Sequence, residues 1–168
     1  GEEHRSSTAG AWRQAFLRMP YWRDPAVGNG LIMDTFETAT TWDRFEAFYK
    51  GVRKDVAQAV QQATGHPAFV SCRFTHIYPD GPAPYFTIAA LGSAQGDVAS
   101  ALAAWREIKQ AANEAVIKHG GTITHHHAVG RDHRPGYEQE TPPLYRQMLQ
   151  AAKATVDPQG ILNPGVLI

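Results

Sequence analysis

Three consecutive histidines, His125, His126 and His127, stand in the stretch GGTITHHHAVGRDHRP, after a Gly-Gly pair and before a Gly-Arg-Asp-His run. Histidine is a poor helix former and changes its charge near neutral pH, so a buried structural role does not explain three in a row. Neighbouring imidazoles also shift one another's titration. The triple therefore indicates either a proton-transfer site or a metal site.

A metal site would need more ligands than this stretch supplies. If the stretch is an extended strand, His125 and His127 point to one face and His126 points to the other. A stable site needs three or four ligands, so His76, His133 or a carboxylate would have to join the pair. No spacing in the sequence identifies that partner, so we favour proton transfer and assign no metal.

Two arginines and two tyrosines are further candidates. Arg23, in YWRD, is predicted to lie in a loop, either as a surface side chain packed on Trp22 or as a clamp for a phosphate or carboxylate. Arg73 stands in the apolar stretch FVSCRF, where an inward-pointing guanidinium would need an acid or an anionic ligand. Tyr78 and Tyr85 flank the predicted hairpin turn, and spacing alone singles out neither.

The composition indicates one ordinary globular domain. The chain has 168 residues, of which 43% are hydrophobic and 19% charged, which is enough to bury a core. Sixteen basic residues balance sixteen acidic ones, and this balance argues against nucleic acid as a partner. The one cysteine, Cys72, excludes an intramolecular disulfide and a cysteine-based zinc site; we predict that it is a buried core residue.

No apolar run reaches the roughly 20 residues that a membrane span requires, so the default compartment is the cytoplasm. Residues 1–10 are polar, and we predict that they form a flexible start or the stump of a linker.

Hydrophobic periodicity predicts an α+β fold in which helices cover an antiparallel sheet. The predicted helices span residues 9–18, 42–63, 97–118 and 141–156. The predicted strands span residues 31–38, 68–78, 83–91 and, briefly, 122–126. The turn PDGPAP joins the second and third strands into a hairpin. Two prolines and two glycines predict a loop over residues 19–30.

Together these stretches resemble the C-terminal part of FAD-linked oxidases of the vanillyl-alcohol oxidase type. The tail DPQGILNPG is general for that superfamily. A more specific resemblance is to the alkyldihydroxyacetonephosphate synthases, and it covers nearly all of the chain from about Trp12 onward. The motifs of that family stand here, in the same order, as YWRD, MDTFETATTWDRF, SCRFTHIYPDGPAPYF and THHHAVGRD.

The resemblance implies an enzyme in two parts. An upstream domain, absent from this sequence, would hold most of the FAD, and residues 11–168 would form the cap domain with a tail that returns to the flavin. The family exchanges the acyl chain of acyl-dihydroxyacetone phosphate for a fatty alcohol, with the flavin as a trap for the substrate carbon. Arg23 then matches the phosphate-binding arginine and Tyr85 the active-site tyrosine. The histidine triple matches the essential histidine cluster.

Arg73 is a second candidate for binding an anionic substrate, and Asn163, in the tail, is a candidate for contacting the cofactor. The implied partners are a small lipid substrate and the chain's own upstream FAD-binding domain, and the resemblance allows a homodimer and peripheral contact with a membrane. Two alternatives stay open. One is the cap domain of an FAD-dependent 2-hydroxy acid dehydrogenase, and the other is a stand-alone metal- or partner-binding module.

Overall fold

A computed structural model of the chain describes residues 8–92 and 97–168. The fold is α+β, as predicted. Residues 1–7 of the predicted linker lie outside the described part, and residues 8–10 belong to the first helix. The elements in chain order are α1 (Thr8–Gly28), β1 (Leu31–Glu37), α2 (Trp42–Thr64), β2 (Phe69–Ile77), β3 (Pro82–Leu91), α3 (Val98–Lys118), α4 (Arg134–Glu140) and α5 (Pro143–Val156).

The three strands form one antiparallel sheet in the order β1–β3–β2, so the last strand of the sequence lies in the centre. The predicted hairpin is the β2–β3 pair. Buried residues alternate along β3, which is the pattern of a strand with one face on a core. That face packs on the buried stripes of α2 and α3 to form the hydrophobic core.

The core row nearest the site consists of Phe36, Phe86 and Cys72, which are directly paired across the three strands. The rings of Phe36 and Phe86 stack at 4.8 Å between centroids. Cys72 is only half-buried, but it packs against this core, and burial raises the pKa of its thiol to about 11. It is therefore a protonated packing residue at neutral pH.

The helix α1 runs through most of the predicted loop over residues 19–30. Pro20 and Pro25 each remove one intrahelical donor, but proline bends or interrupts a helix without having to end it. The chain leaves the helix at Asn29 and Gly30, where Gly30 takes a left-handed φ of 80° and donates its N–H to a carbonyl of the last turn. Glycine adopts this conformation without strain, so it ends the helix where the prolines do not.

The short strand predicted over residues 122–126 does not form. The backbone N–H groups at its end are bound by the carboxylate of Glu37 and not by a neighbouring strand. After this segment the chain forms α4, a helix that no sequence pattern predicted, with Pro135 in its first turn. Gly136 packs so closely on Ile123 that a Cβ would lie 2.4 Å from its Cδ1. The other predicted helices and strands are confirmed to within a few residues.

None of the helices in the described ranges is long and apolar enough to cross a bilayer.

Candidate functional site

Three site side chains lie in one row across the sheet. Glu37 of β1 pairs with Tyr85 of β3, which pairs with Arg73 of β2. Directly paired residues in an antiparallel sheet share a face, and this face is the one opposite the core. The exposed guanidinium of Arg73 lies 4.6 Å from the centroid of the Tyr85 ring, a cation–π distance. Arg73 therefore points away from the core, where it is accessible to an anionic ligand.

Tyr78 and Tyr85, which residue spacing alone could not distinguish, both lie in the site. The hydroxyl of Tyr85 donates to Oγ1 of Thr35 at 3.1 Å, and its ring centroid lies 5.3 Å from that of His127. The hydroxyl of Tyr78 lies 3.1 Å from Nε2 of His125. The structure thus places one phenol on each side of the histidine triple.

The histidine triple does not alternate between two faces, as it would on a strand, because this segment is a loop. We call residues 124–127 the histidine loop. The ring centroids of His126 and His127 are 4.6 Å apart, and Nδ1 of His125 lies 3.4 Å from Nδ1 of His126. His76 of β2 joins them, 5.1 Å from His125 between ring centroids. The imidazoles form one contiguous cluster in place of the predicted two-sided arrangement.

A carboxylate that sequence reasoning missed holds the histidine loop. Glu37 is fully buried at the end of β1. Its Oε1 accepts the backbone N–H groups of all three histidines, each at 2.8 Å, and the hydroxyl of Thr124 at 2.6 Å. Its Oε2 lies 3.2 Å from Nδ1 of His126 and 3.9 Å from Nδ1 of His125. Three successive N–H groups around one anion form a backbone nest.

The hydrogen bonds decide the charge of this carboxylate. Burial alone would raise the pKa of Glu37, but the hydroxyl of Thr124 and the three histidine N–H groups outweigh burial and lower that pKa from 4.5 to about 2. Glu37 is therefore an anion throughout the physiological range.

The lowered pKa of Glu37 predicts an acid-sensitive fold. A carboxyl whose pKa is lower in the folded state stabilises the protein above its unfolded pKa, and this stabilisation is lost as the pH falls through the folded value. The window is therefore from about 4.5 down to about 2, and the shift corresponds to about 3 kcal/mol. We expect the Glu37→Gln chain to unfold at lower urea concentration than the wild type at pH 7, with a difference that shrinks below pH 4.5.

The other carboxyls with lowered pKa values are unchanged in that variant, so the difference between the two urea curves isolates Glu37. A difference that stays constant from pH 7 to pH 3 would contradict the predicted pKa.

The imidazole of His127 differs from its neighbours in environment. Burial lowers the pKa of His127, and the charge of Glu37 acts in the opposite direction. The positive charges of His126, Lys109 and His133 lower that pKa further. The pKa of His127 therefore lies below its ordinary value of 6.5, so the ring is neutral at pH 7 and has a free nitrogen to accept a proton.

The cluster also contains a group that could ligate a metal. One ring nitrogen from each of His76, His125 and His126 lies within 4.8 Å of the others, and three imidazoles suit a divalent transition metal. The pair suggested by the sequence, His125 and His127, is not part of this group. His133 is buried elsewhere, with Nδ1 3.0 Å from the carbonyl of Ala128.

Two sequence-predicted site residues lie in other elements. Arg23 belongs to α1 and not to a loop, so that part of its prediction is wrong. Asn163 lies in the tail with a left-handed φ of 46°. The guanidinium of Arg131, four residues after the histidine loop, donates to the carbonyl of Pro164 at 3.2 Å. This contact ties the tail to the segment that follows the histidine loop.

Comparisons with known proteins agree with the resemblance found in the sequence. The family model described as FAD linked oxidases, C-terminal domain, matches residues 2–167. Alkyldihydroxyacetonephosphate synthase of Trypanosoma brucei brucei is 28% identical over 157 residues, which are 94% of this chain. D-2-hydroxyglutarate dehydrogenase of Stutzerimonas stutzeri (strain A1501) is 40% identical, but over 52 residues only.

A solved structure of an alkyldihydroxyacetonephosphate synthase has the same fold, with a TM-score of 0.62 at 20% identity over 94% of this chain. The chain spans about a quarter of the length of these synthases, 25% of the trypanosome protein and 24% of the solved chain. The activities of these synthases therefore belong to whole chains, of which the matched part is about a quarter.

Proposed function

Because this chain belongs to the C-terminal domain family of FAD linked oxidases, we propose that it is the cap domain of an alkyldihydroxyacetonephosphate synthase-like enzyme. That enzyme exchanges the acyl chain of acyl-dihydroxyacetone phosphate for a fatty alcohol and yields an ether lipid precursor. The observation that carries the proposal is the row Glu37–Tyr85–Arg73 beside the histidine loop, which offers an anion clamp and several proton carriers on one sheet face.

The reaction needs a group that takes a proton beside the carbonyl and groups that protonate the departing carboxylate. His127, neutral at pH 7, is suited to accept a proton. His126, beside the Glu37 carboxylate, is suited to hold one. The phenol of Tyr85 lies next to both rings and completes a path along which protons move between substrate and imidazoles.

The substrate phosphate needs a cation. Arg73 lies exposed over the Tyr85 ring, so its guanidinium is held in place by a contact that leaves its donors unused. Arg23 is the second cation that we propose for this phosphate, on the strength of its YWRD motif. Two guanidinium groups could share the phosphate charge.

FAD, when bound, would supply an electrophilic ring for the substrate carbon. The exposed apolar face of α5 and the tail fits a chain that packs against a further domain, because α5 contributes no residue to the core. The side chains of that face are Leu144, Met148, Val156, Ile161 and Leu162. We propose that the upstream FAD-binding domain covers this face; a homodimer is the competing occupant.

We also propose that Asn163 contacts the cofactor. The tail around it is held by Asp157, whose carboxylate accepts the N–H groups of Ile161 and Leu162 at 3.0 Å. This tail is already fixed, and Arg131 ties it to the segment after the histidine loop. It can therefore present an amide to a flavin with little further loss of conformational entropy on binding. Since fatty alcohols partition into lipid, we propose a cytoplasmic enzyme in peripheral contact with a membrane.

Replacement of Arg23 by alanine is expected to raise KM for acyl-dihydroxyacetone phosphate by about 10- to 100-fold, with a much smaller change in kcat. A charge-assisted hydrogen bond contributes about 1.5–3 kcal/mol, and a phosphate contact is made in the ground state and the transition state alike. Steady-state kinetics of the complete enzyme measure both constants. Arg18→Ala, an exposed arginine of the same helix, is the matched control; equal effects in both variants would remove Arg23 from the phosphate site.

A second candidate is the cap domain of an FAD-dependent 2-hydroxy acid dehydrogenase, which the 52-residue match to the D-2-hydroxyglutarate dehydrogenase favours. In that enzyme an arginine would bind the substrate carboxylate and a histidine would take the hydroxyl proton. The arginines and histidines proposed for the synthase could fill these roles as well. The two functions are therefore distinguished by which substrate the enzyme converts.

The test is a comparison of substrates on the complete enzyme, in which the FAD-binding domain is joined to this chain. Incorporation of a labelled long-chain alcohol into an ether-linked product from acyl-dihydroxyacetone phosphate is the expected result. Reduction of a dye acceptor by D-2-hydroxyglutarate or D-lactate, without ether formation, would establish the second candidate instead.

A further inference from the structure

Within residues 8–92 and 97–168, no lysine or arginine forms an ion pair with the buried carboxylate of Glu37. Asp157, the other buried acid among the residues that the structure describes, forms an ion pair with Lys153. The ion-pair partners of Glu37 are imidazoles only, with Nδ1 of His126 at 3.2 Å and Nδ1 of His125 at 3.9 Å. Isolated buried carboxylates are costly unless hydrogen bonds or cations compensate them.

We propose that Glu37 is a positioning residue of the site, which fixes the histidine loop through Oε1 and holds a proton on Nδ1 of His126 through Oε2. The inference rests on the proposed function and adds a role for a residue outside the histidine and tyrosine motifs. Nδ1 of His126 lies 3.2 Å from Oε2 of Glu37 and 3.4 Å from Nδ1 of His125. An ionised carboxylate accepts hydrogen bonds and donates none, so we assign the proton between the two imidazoles to Nδ1 of His126, the nitrogen nearer to the carboxylate. Nε2 of His126 is then the unprotonated nitrogen of the neutral ring and is available to accept a hydrogen bond.

The two oxygens of Glu37 share the N–H of His125 but otherwise have different partners. Oε1 receives the hydroxyl of Thr124 and the N–H groups of all three histidines. Oε2 receives a second contact from the N–H of His125, at 2.9 Å, and is the oxygen nearest to the His126 ring. A substitution that changes Oε2 alone can therefore separate the proton-holding role from the anchoring role.

Other groups also surround the His126 ring and could influence its protonation. They are His76 of β2, Tyr85 of β3, and His125 and His127 of the histidine loop. Lys109, which forms an ion pair with Asp34 at 3.3 Å, and His133 act electrostatically on His127. Among the residues that the structure describes, none of these other groups in contact with the His126 ring carries a carboxyl, so the Glu37 carboxylate is the one acceptor of that kind beside the ring and decides which imidazole nitrogen is protonated.

Glu37→Gln makes this separation. The amide oxygen can take the place of Oε1 and keep the donors of the loop, whereas the amide NH₂ replaces Oε2 and donates to Nδ1 of His126. The proton on that ring must then move to Nε2, so the variant inverts the tautomer. Thr124→Val is the matched control, because it removes one donor from Oε1 and leaves Oε2 unchanged.

The experiment is long-range ¹H–¹⁵N NMR of the histidine rings in this chain, which reports the protonated nitrogen directly. In the wild type and in Thr124→Val, neutral His126 is expected to carry its proton on Nδ1; in Glu37→Gln it is expected on Nε2. In the complete enzyme, Glu37→Gln is expected to lower kcat about 100-fold or more, with KM within about threefold because Arg73 and Arg23, the proposed phosphate ligands, are unchanged.

A wild-type His126 protonated on Nε2 overturns the proposal even if the variant does not fold. So does a tautomer that Glu37→Gln leaves unchanged, or an equal loss of kcat in Glu37→Gln and Thr124→Val. Because the NMR result requires no substrate, it stands or fails separately from the proposed synthase reaction.

Discussion

Replacement of Tyr85 by phenylalanine is expected to lower kcat of the complete enzyme by about 100- to 10,000-fold, the range that a positioned proton-transfer group contributes. The variant loses the hydroxyl that donates to Thr35, on a ring whose centroid lies 6.1 Å from that of His126 and 5.3 Å from that of His127. The cation–π contact with Arg73 needs only the ring, so substrate binding is expected to change little. Formation of the ether product under saturating substrate measures the effect.

Tyr49→Phe is the control for the loss of a phenol. Tyr49 stacks on Phe86 on the core face of the sheet, opposite the site, so its hydroxyl takes no part in the proposed chemistry. Wild-type kcat in Tyr85→Phe would remove the tyrosine from the mechanism for either substrate.

Replacement of His126 by glutamine is expected to lower kcat by a similar factor, about 100- to 10,000-fold. Glutamine can still donate to Glu37, so the loop keeps a polar partner there, but it cannot take up and release a proton near neutral pH.

The control for this variant is His66→Gln. His66 is an exposed histidine that follows α2 and does not belong to the histidine loop. A His126→Gln enzyme with unchanged kcat, or an equal loss in His66→Gln, would contradict a proton-transfer role for His126.

The parts of the fold that the sequence predicts are those specified by local pattern. The α2 stripe at four-residue spacing and the β2–β3 hairpin are examples, because periodicity and turn residues act over a few positions. The end of α1 was mispredicted for the opposite reason. Prolines predict an early end to the helix, whereas Gly30, with its left-handed φ, follows the actual end.

The site was only half predictable, since its key contacts join distant positions. The histidine triple and Tyr85 carry family motifs, but the hydrogen bonds between Glu37 and the histidine loop span 87 to 90 residues. His76 enters the cluster through an irregularity in the β2 register between Phe74 and His76. An acidic residue that ends an apolar strand is the one local signal that could have pointed to Glu37, because a charge there requires a partner.

The most direct test of this account is a double-mutant cycle on kcat with Tyr85→Phe, His126→Gln and the double variant, all measured for ether formation by the complete enzyme. If the phenol and the imidazole serve the same proton transfer, removing the second group after the first costs little, because residues that act as a unit are strongly non-additive. The account predicts a double variant within about threefold of the slower single variant. Two losses that multiply in the double variant would show independent roles and would contradict a single proton-transfer site.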